Sequence, residues 1–190
     1  IQSTSSAASF HDRLVDDPAP HELWWHDITA PALVLGSSQP ETDVDHDACR
    51  RAGVEIVRRR SGGGAVLLIP GEVTWLDVII PRGSVGWADD IHAPMRWLGH
   101  HLAAVLEPMD LGSVSVHEAA MHTTAWSRLV CFDGLGAGEV LLDGRKLIGM
   151  SQRRTRHAAR LQCCWYSRHA SADLVELLAA EHRPPSAELA

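Results

Sequence analysis

Apolar residues gather in short dense runs along the first half of the chain. Residues 31–36 (Pro-Ala-Leu-Val-Leu-Gly) predict a buried strand ending in the polar turn 36–40. Residues 43–52 have helical spacing and stop at Gly53, a suitable C′ glycine. Residues 54–59 and 65–69 predict two further strands. Pro70-Gly71 is a turn, and residues 73–80 form a strand closed by Pro81. Asp89 or Asp90 then caps a helix whose stripe is Ile91, Met95, Leu98, Leu102, Val105 and Leu106, with Pro108 just beyond. Residues 113–117 and 129–132 predict short strands, followed by a flexible glycine-rich stretch at 133–138.

The clearest local pattern lies next. Residues 139–142, then Asp143-Gly144, then residues 145–148 predict a hairpin on a type I′ turn, with 161–166 pairing beside it. Ser171 is expected to cap a last helix reaching about Glu181, and Pro184-Pro185 to end ordered structure. Residues 10–27 suggest a short helix or turn, and residues 1–9 a frayed start. The pattern shows no repeat, no linker and no regular βαβ alternation. The expected fold is α+β: one domain over 1–190, a mostly antiparallel sheet with flanking helices.

Composition narrows the function. The chain has 190 residues, 45% of them hydrophobic, enough for a sizeable core. It has no apolar run of about 18 residues and no basic-then-apolar leader, so neither membrane nor secretion is expected. Four cysteines lack Cys-x-x-Cys spacing, and adjacent Cys163 and Cys164 would alternate faces of a strand. A reducing cytoplasm is the expected setting. The net charge of −7 argues against nucleic acid as the main partner. Basic residues concentrate instead at 58–60 and 145–160, which suits a small anion or an acidic partner protein. The twelve histidines are scattered, and no metal site is expected.

Two segments carry candidate chemistry. In Arg58-Arg59-Arg60-Ser61-Gly62-Gly63-Gly64-Ala65, the glycines let main-chain N–H groups approach a ligand, and the arginines suit a phosphate or carboxylate. Alone this would be a surface turn with a solvated basic flank; apolar runs on both sides hold it near a core. The second segment begins at Lys146, just past the hairpin turn. A lysine there is commonly an edge charge facing solvent. Gly149 inside an apolar strand suggests a close approach, and a bulge at Gly149 would bring Lys146 and Ser151 to one face.

Together, residues 58–66 (Arg-Arg-Arg-Ser-Gly-Gly-Gly-Ala-Val) and 144–154 (Gly-Arg-Lys-Leu-Ile-Gly-Met-Ser-Gln-Arg-Arg) resemble the lipoate–protein ligase and octanoyltransferase family. Residues 33–39, Pro70-Gly71, Cys131-Phe132 and 139–142 fall in the family's order, so the likeness spans about 31–165. It implies a fold related to biotin ligase and class II aminoacyl-tRNA synthetases, without the C-terminal accessory domain of many ligases. It also implies attachment of a lipoyl or octanoyl group to one lysine of a lipoyl carrier domain, such as glycine cleavage H protein or 2-oxoacid dehydrogenase E2. Acyl carrier protein or a separate accessory subunit are further implied partners.

By resemblance, Arg59, Ser61, Gly62, Gly63, Gly64 and Ala65 bind the acyl-adenylate, and Lys146 neutralises its carboxylate and phosphate. Glu139 orients the target amine or the nucleotide, while Gly149, Ser151 and Gln162 lie along the acyl pocket. A ligase would need ATP with Mg2+ and free lipoate or octanoate. The chain has Leu68-Ile69 where many ligases have His-Asp, and Gly71-Glu72 where they have Gly-Asn. Cys131 opens a second route, ATP-independent transfer through a Cys131 thioester; cations beside a thiol favour the nucleophilic thiolate. A small buried thiol on an apolar strand is the commoner case for such a cysteine. A third reading is a non-catalytic acyl-binding or partner-subunit homologue.

Overall fold

A computed structural model describes residues 1–168 and 171–185, without the side chain of Ser171. Ten strands are β1 (Gln2–Ser5), β2 (Glu22–Ile28), β3 (Ala32–Leu35), β4 (Glu55–Arg58), β5 (Val66–Leu68), β6 (Val73–Pro81), β7 (Val114–Val116), β8 (Val140–Leu142), β9 (Arg145–Arg154) and β10 (Ala158–Tyr166). Four helices are α1 (Ala7–Asp12), α2 (His46–Ala52), α3 (Ala93–Leu106) and α4 (Ser171–Val175). The larger sheet has the order β1-β2-β6-β10-β9-β8-β7 and is antiparallel except for β1 beside β2. The smaller is β4-β3-β5, with β3 parallel to β4 and antiparallel to β5. The fold is α+β, as the pattern predicts.

The two sheets stack, and this explains why the central runs are uniformly apolar. Leu33, Leu35 and Leu67 pack outward with Cys49 and Leu178 under α2 and α4. Alternate residues Val34, Val66 and Leu68 pack inward with Phe10 and Trp75 of the larger sheet's side. A strand buried on both faces gains nothing from a polar alternation. The larger sheet's other face packs Ile80, Ile148 and Leu161 against Leu98 and Ala103 of α3.

Several expectations change. The start of the chain is ordered: β1 pairs with β2, so residues 1–9 are not frayed and residues 22–28 form a strand. Its signal was hidden because β2 alternates exposed Leu23 and Trp25 with buried Trp24 and His26. Residues 129–132 are not a strand. Leu129 and Val130 hydrogen-bond back to the Trp126 carbonyl, Cys131–Asp133 form a 3-10 turn, and only a lone bridge joins Val130 to Ala65. Ile91 precedes α3 and is exposed, as is Val105, because the helix turns its small residues Gly99 and Ala103 inward. The last helix ends at Val175, well short of Glu181. The 143–144 turn has φ 50° and 77°, as a type I′ turn requires.

Candidate active site

The glycine segment and the Lys146 hairpin lie on different sheets and meet around Cys131. Arg58 leaves β4 with its guanidinium on the carbonyls of Gly36 and Gln39, at 2.9 and 2.7 Å. Arg59, which is buried, folds back across the bend. Its Nη2 donates to the carbonyls of Gly62 and Gly64 at 2.7 and 2.8 Å, and Nη1 donates to Val34 at 3.2 Å. Gly63, at φ 96°, lies so close to Gly36 that a side-chain carbon on Gly36 would sit 1.9 Å from the Gly63 carbonyl. Arg60 points outward, 3.6 Å from Asp12. Arg59 thus pins the bend through neutral carbonyls, while Arg58 ties its start to the 36–40 turn and also lies 3.5 Å from the Glu41 carboxylate.

Cys131 is held on the other side of the bend. Its N–H donates to the Ala65 carbonyl at 3.0 Å, while Ala65 N–H donates to Leu129 at 2.7 Å. Ala65 therefore fixes the backbone of Cys131 rather than lining a cavity. The thiol stands 4.0 Å from Arg59 Nη2 and would be 3.5 Å from a side-chain carbon on Gly63.

Lys146 is buried where an edge charge was the common expectation. Nζ lies 2.7 Å from Glu139 Oε1 and donates to the carbonyls of Cys131 and Gly134 at 3.0 and 2.9 Å. The Phe132 ring centroid is 5.0 Å from Nζ. Burial acts to lower the Lys146 pKa, but negative charge at Cys131 and Glu139 outweighs it and leaves the pKa above the ordinary lysine value. Glu139 also accepts from Met150 N–H at 3.0 Å and Gly136 N–H at 2.7 Å. Both its oxygens are engaged, so in this structure it serves as the counter-ion of Lys146.

The bulge falls two residues earlier than the glycine suggested. Leu141 pairs with Lys146 and Val140 with Ile148, leaving Leu147 as the extra residue. The consequence is the expected one: past the bulge Lys146, Gly149, Ser151 and Arg153 share one face. Gly149 is needed there, because a side-chain carbon would lie 3.0 Å from the Phe132 ring and 3.2 Å from Lys146 Cε.

Between the two sheets runs a slot with about 440 Å3 of empty space, its mouth included. Val34, Val66, Leu68 and Trp75 give it apolar walls; Arg59, Cys131 and Phe132 stand at one part and Ser151, Gln162 and His11 at another. Ser61 Oγ donates to Ser151 Oγ at 3.0 Å and lies 3.4 Å from Gln162 Oε1, whose amide nitrogen is 3.4 Å from His11 Nδ1. Ser61, Ser151 and Gln162 are therefore brought together. Gly62 and Gly64 contribute carbonyls to Arg59 instead of a wall. A second cavity, with about 1110 Å3 of empty space including its opening, lies beside Phe132 and Lys146 and is floored by Asp133 and Leu147.

Sequence reasoning missed His11, which burial holds neutral by lowering its pKa to about 3. It also missed Cys164, which lines the slot and whose thiol burial pushes up to about 12. Cys163, which also borders the slot, belongs to the core under α3, and all four cysteines are free. Nothing in the local sequence signals His11, since its partner is 151 residues away. Among the described residues no group of three His, Cys, Asp or Glu side chains could hold a metal.

The profile of the lipoyl protein ligase A/B catalytic domain matches residues 7–186. The chain belongs to that family. It is 32% identical over 140 residues to octanoyltransferase LipM of Moorella thermoacetica, covering 71% of this chain and 49% of that protein. Against LipM of Kyrpidia tusciae it is 30% identical over 130 residues, or 66% and 47% of the two chains. The chain thus spans about half the length of these curated relatives. Among solved structures, protein Ta0514 from T. acidophilum with bound lipoic acid superposes with a TM-score of 0.64 at 17% identity, covering 86% of this chain and 61% of that one. Lipoate-protein ligase A bound with ATP gives 0.62 at 20%, covering 88% and 62%. These structures establish a shared fold.

Proposed function

We propose that this chain moves an octanoyl or lipoyl group through Cys131 onto a lysine of a lipoyl carrier domain. The observation carrying this reading is the placement of Cys131. Its thiol faces an apolar slot, with Arg59 beside the sulfur and Lys146 on its carbonyl. In the first step the Cys131 thiolate attacks the carbonyl carbon of an acyl thioester donor. The new C–S bond forms, the donor C–S bond breaks, and the donor leaves as a thiol carrying the proton that Cys131 gave up. In the second step the uncharged lysine amine of the carrier attacks the Cys131 thioester. A C–N bond forms, the bond to Cys131 breaks, and the amine proton returns to the sulfur. The cations of Arg59 and Lys146 would stabilise the oxyanion of each tetrahedral intermediate. The 30–32% identity to octanoyltransferases named LipM supports the same reading. The acceptor is a lipoyl domain by analogy with the archaeal ligase solved in a study of that ligase and its E2 lipoyl domain. A reducing compartment such as the cytoplasm would keep Cys131 a thiol.

A ligase reading has one observation in its favour, the second cavity beside Lys146, which has room for a nucleotide. The donor set fits a magnesium nucleotide poorly. Leu68 is buried and apolar, Glu139 is engaged by Lys146, and the Asp133 carboxylate accepts from Thr124. No adenylation step is assigned.

Intact mass spectrometry after incubation with an octanoyl thioester tests this. The chain should gain one octanoyl group, pass it to a lipoyl domain, and fail at both as Cys131→Ala. Modification of the lipoyl domain that needs ATP and free octanoate, and survives Cys131→Ala, would establish the ligase instead. No modification by either route would make the chain a binding homologue.

A further inference from the structure

Among the described residues, Phe132 is the one that lines both the slot and the second cavity. The slot is apolar-walled and bordered by Cys131. The second cavity carries His122, Thr124, Asp133, Arg145 and Lys146, and its space of about 1110 Å3, opening included, has room for many waters. Cys131 borders the slot and not the second cavity; Lys146 borders the second cavity and not the slot. One aromatic side chain therefore stands between the thiol's space and a wet, charged one.

The ring is seated from three sides. A side-chain carbon on Gly149 of β9 would lie 3.0 Å from it, so the seat exists only because that residue is glycine. The Tyr166 ring of β10 stands 5.0 Å away, tilted by 57°, and is itself fixed by its hydroxyl, which donates to the Leu67 carbonyl at 2.8 Å. Lys146 Nζ lies 5.0 Å from the ring centroid. Phe132 belongs to the 3-10 turn Cys131–Asp133, so the partition follows the thiol directly in the chain.

A thioester on Cys131 needs such a partition. Water attacking its carbonyl carbon would form a C–O bond, break the C–S bond and return a proton to the sulfur, releasing octanoic acid in place of an amide. Excluding water from a reactive intermediate prevents that side reaction. An acyl chain fills the slot with its own bulk; on the side of the second cavity the Phe132 ring stands in the way. The ring carries no donor, acceptor or charge, so exclusion is what it can contribute.

We infer that Phe132 is a water gate, whose ring shuts a Cys131 thioester off from the second cavity. That the gate protects a thioester rests on the transfer reading above; that the ring separates the two cavities does not.

The full chain is loaded with octanoyl at Cys131, freed of donor, and followed by intact mass with no acceptor present. Phe132→Ala should shorten the lifetime of octanoyl-Cys131 about tenfold, and Phe132→Leu, which keeps apolar bulk without the ring's width, about threefold. Leu98→Ala loosens the core under α3, lines neither cavity, and should leave the lifetime unchanged. A lifetime unaltered by Phe132→Ala, or shortened equally by Leu98→Ala, overturns the gate. Should Phe132→Ala not fold, Phe132→Leu decides, and an unaltered lifetime there overturns it. A second measurement does without acyl transfer: modification of Cys131 by a sulfonated methanethiosulfonate, located by peptide mapping, with octanamide filling the slot. Its rate should rise about tenfold in Phe132→Ala, and no rise overturns the gate. If the rate rises while no variant ever accepts an octanoyl group on Cys131, the transfer reading fails and the partition between the cavities stands.

Discussion

The larger sheet buries two ion pairs, and they differ in what surrounds them. Arg160 and Asp77 sit on adjacent strands β10 and β6, and Asp77 also accepts from Trp75 Nε1 at 2.8 Å and lies 3.0 Å from His26 Nε2. Asp77 is 0% exposed, with both carboxylate oxygens engaged by these side chains. The Lys146 and Glu139 side chains are nearly as buried, but their pair stands between the slot and the second cavity, against the backbone of Cys131, whose thiol lines the slot. A closed pair can only tie elements together, here α1 to the sheet through Phe10 and Arg13. A pair with a reactive group beside it can also act on charge that develops during a reaction. Burial alone does not separate the two cases; access does.

Breaking the closed pair should give the largest effect. Asp77→Ala leaves the Arg160 cation buried without a partner and should cost about 3–5 kcal/mol in urea unfolding. A loss under 1 kcal/mol would mean water reaches Arg160, and the contrast with Lys146 would fail. Lys146→Met should lower the rate of Cys131 acylation by about 10²–10³-fold. It also strands Glu139, so the sharper variant is Lys146→Met with Glu139→Gln. Unfolding curves should show that double variant regaining stability while its acylation rate stays low. Recovery of both would make Lys146 merely structural.

Acid should discriminate next. His11 is depressed to about 3, so between about pH 6.5 and 3 the unfolded chain binds a proton that the folded one refuses. Stability therefore falls with falling pH across that window, by at most about 1.4 kcal/mol per pH unit from this group. For Asp77, burial pushes the carboxyl up, but the His26 hydrogen bond and the Arg160 cation outweigh it and hold it below the ordinary value. Its contribution is complete above about pH 4 and is lost only as pH falls through the lower folded value. His11→Asn should flatten the stability profile above pH 4 and leave the lower limb; an unchanged upper limb would remove His11 from the account.

Two smaller effects probe the slot. Gly63→Ala combines φ 96° with a side-chain carbon 2.8 Å from Arg59 Nη2, and should cost about 1–3 kcal/mol in thermal unfolding. Ser151→Ala removes the partner of the Ser61 hydroxyl and should cost about 1 kcal/mol, with any change in acyl-chain preference read by competition between octanoyl and shorter donors. No measurable loss would show that Gln162 satisfies Ser61 alone.

Much of the site was readable because its signals are local. A triple glycine between apolar runs, an Asp-Gly turn and a glycine inside a strand each constrain only a few neighbouring residues, and each appears where expected. Residues 129–132 do not form the expected strand: their apolar side chains suit one, but the Thr124–Ser127 turn coils the chain leading into them. The bulge was displaced from Gly149 to Leu147 because the glycine answers to the Phe132 ring, a contact across seventeen residues that no periodicity shows.

The sequence by itself determined the α+β class, the hairpin that carries Lys146, and the family motifs. Backbone preference and period act at short range, and those features need nothing more. Only the tertiary structure decided that β3 and β5 are covered on both faces, that Lys146 is held by Glu139, and that Arg160 closes on Asp77, 83 residues away. Desolvation and charge pairing act through space, so their outcome depends on which strands are stacked and which side chains the gap between the sheets leaves open.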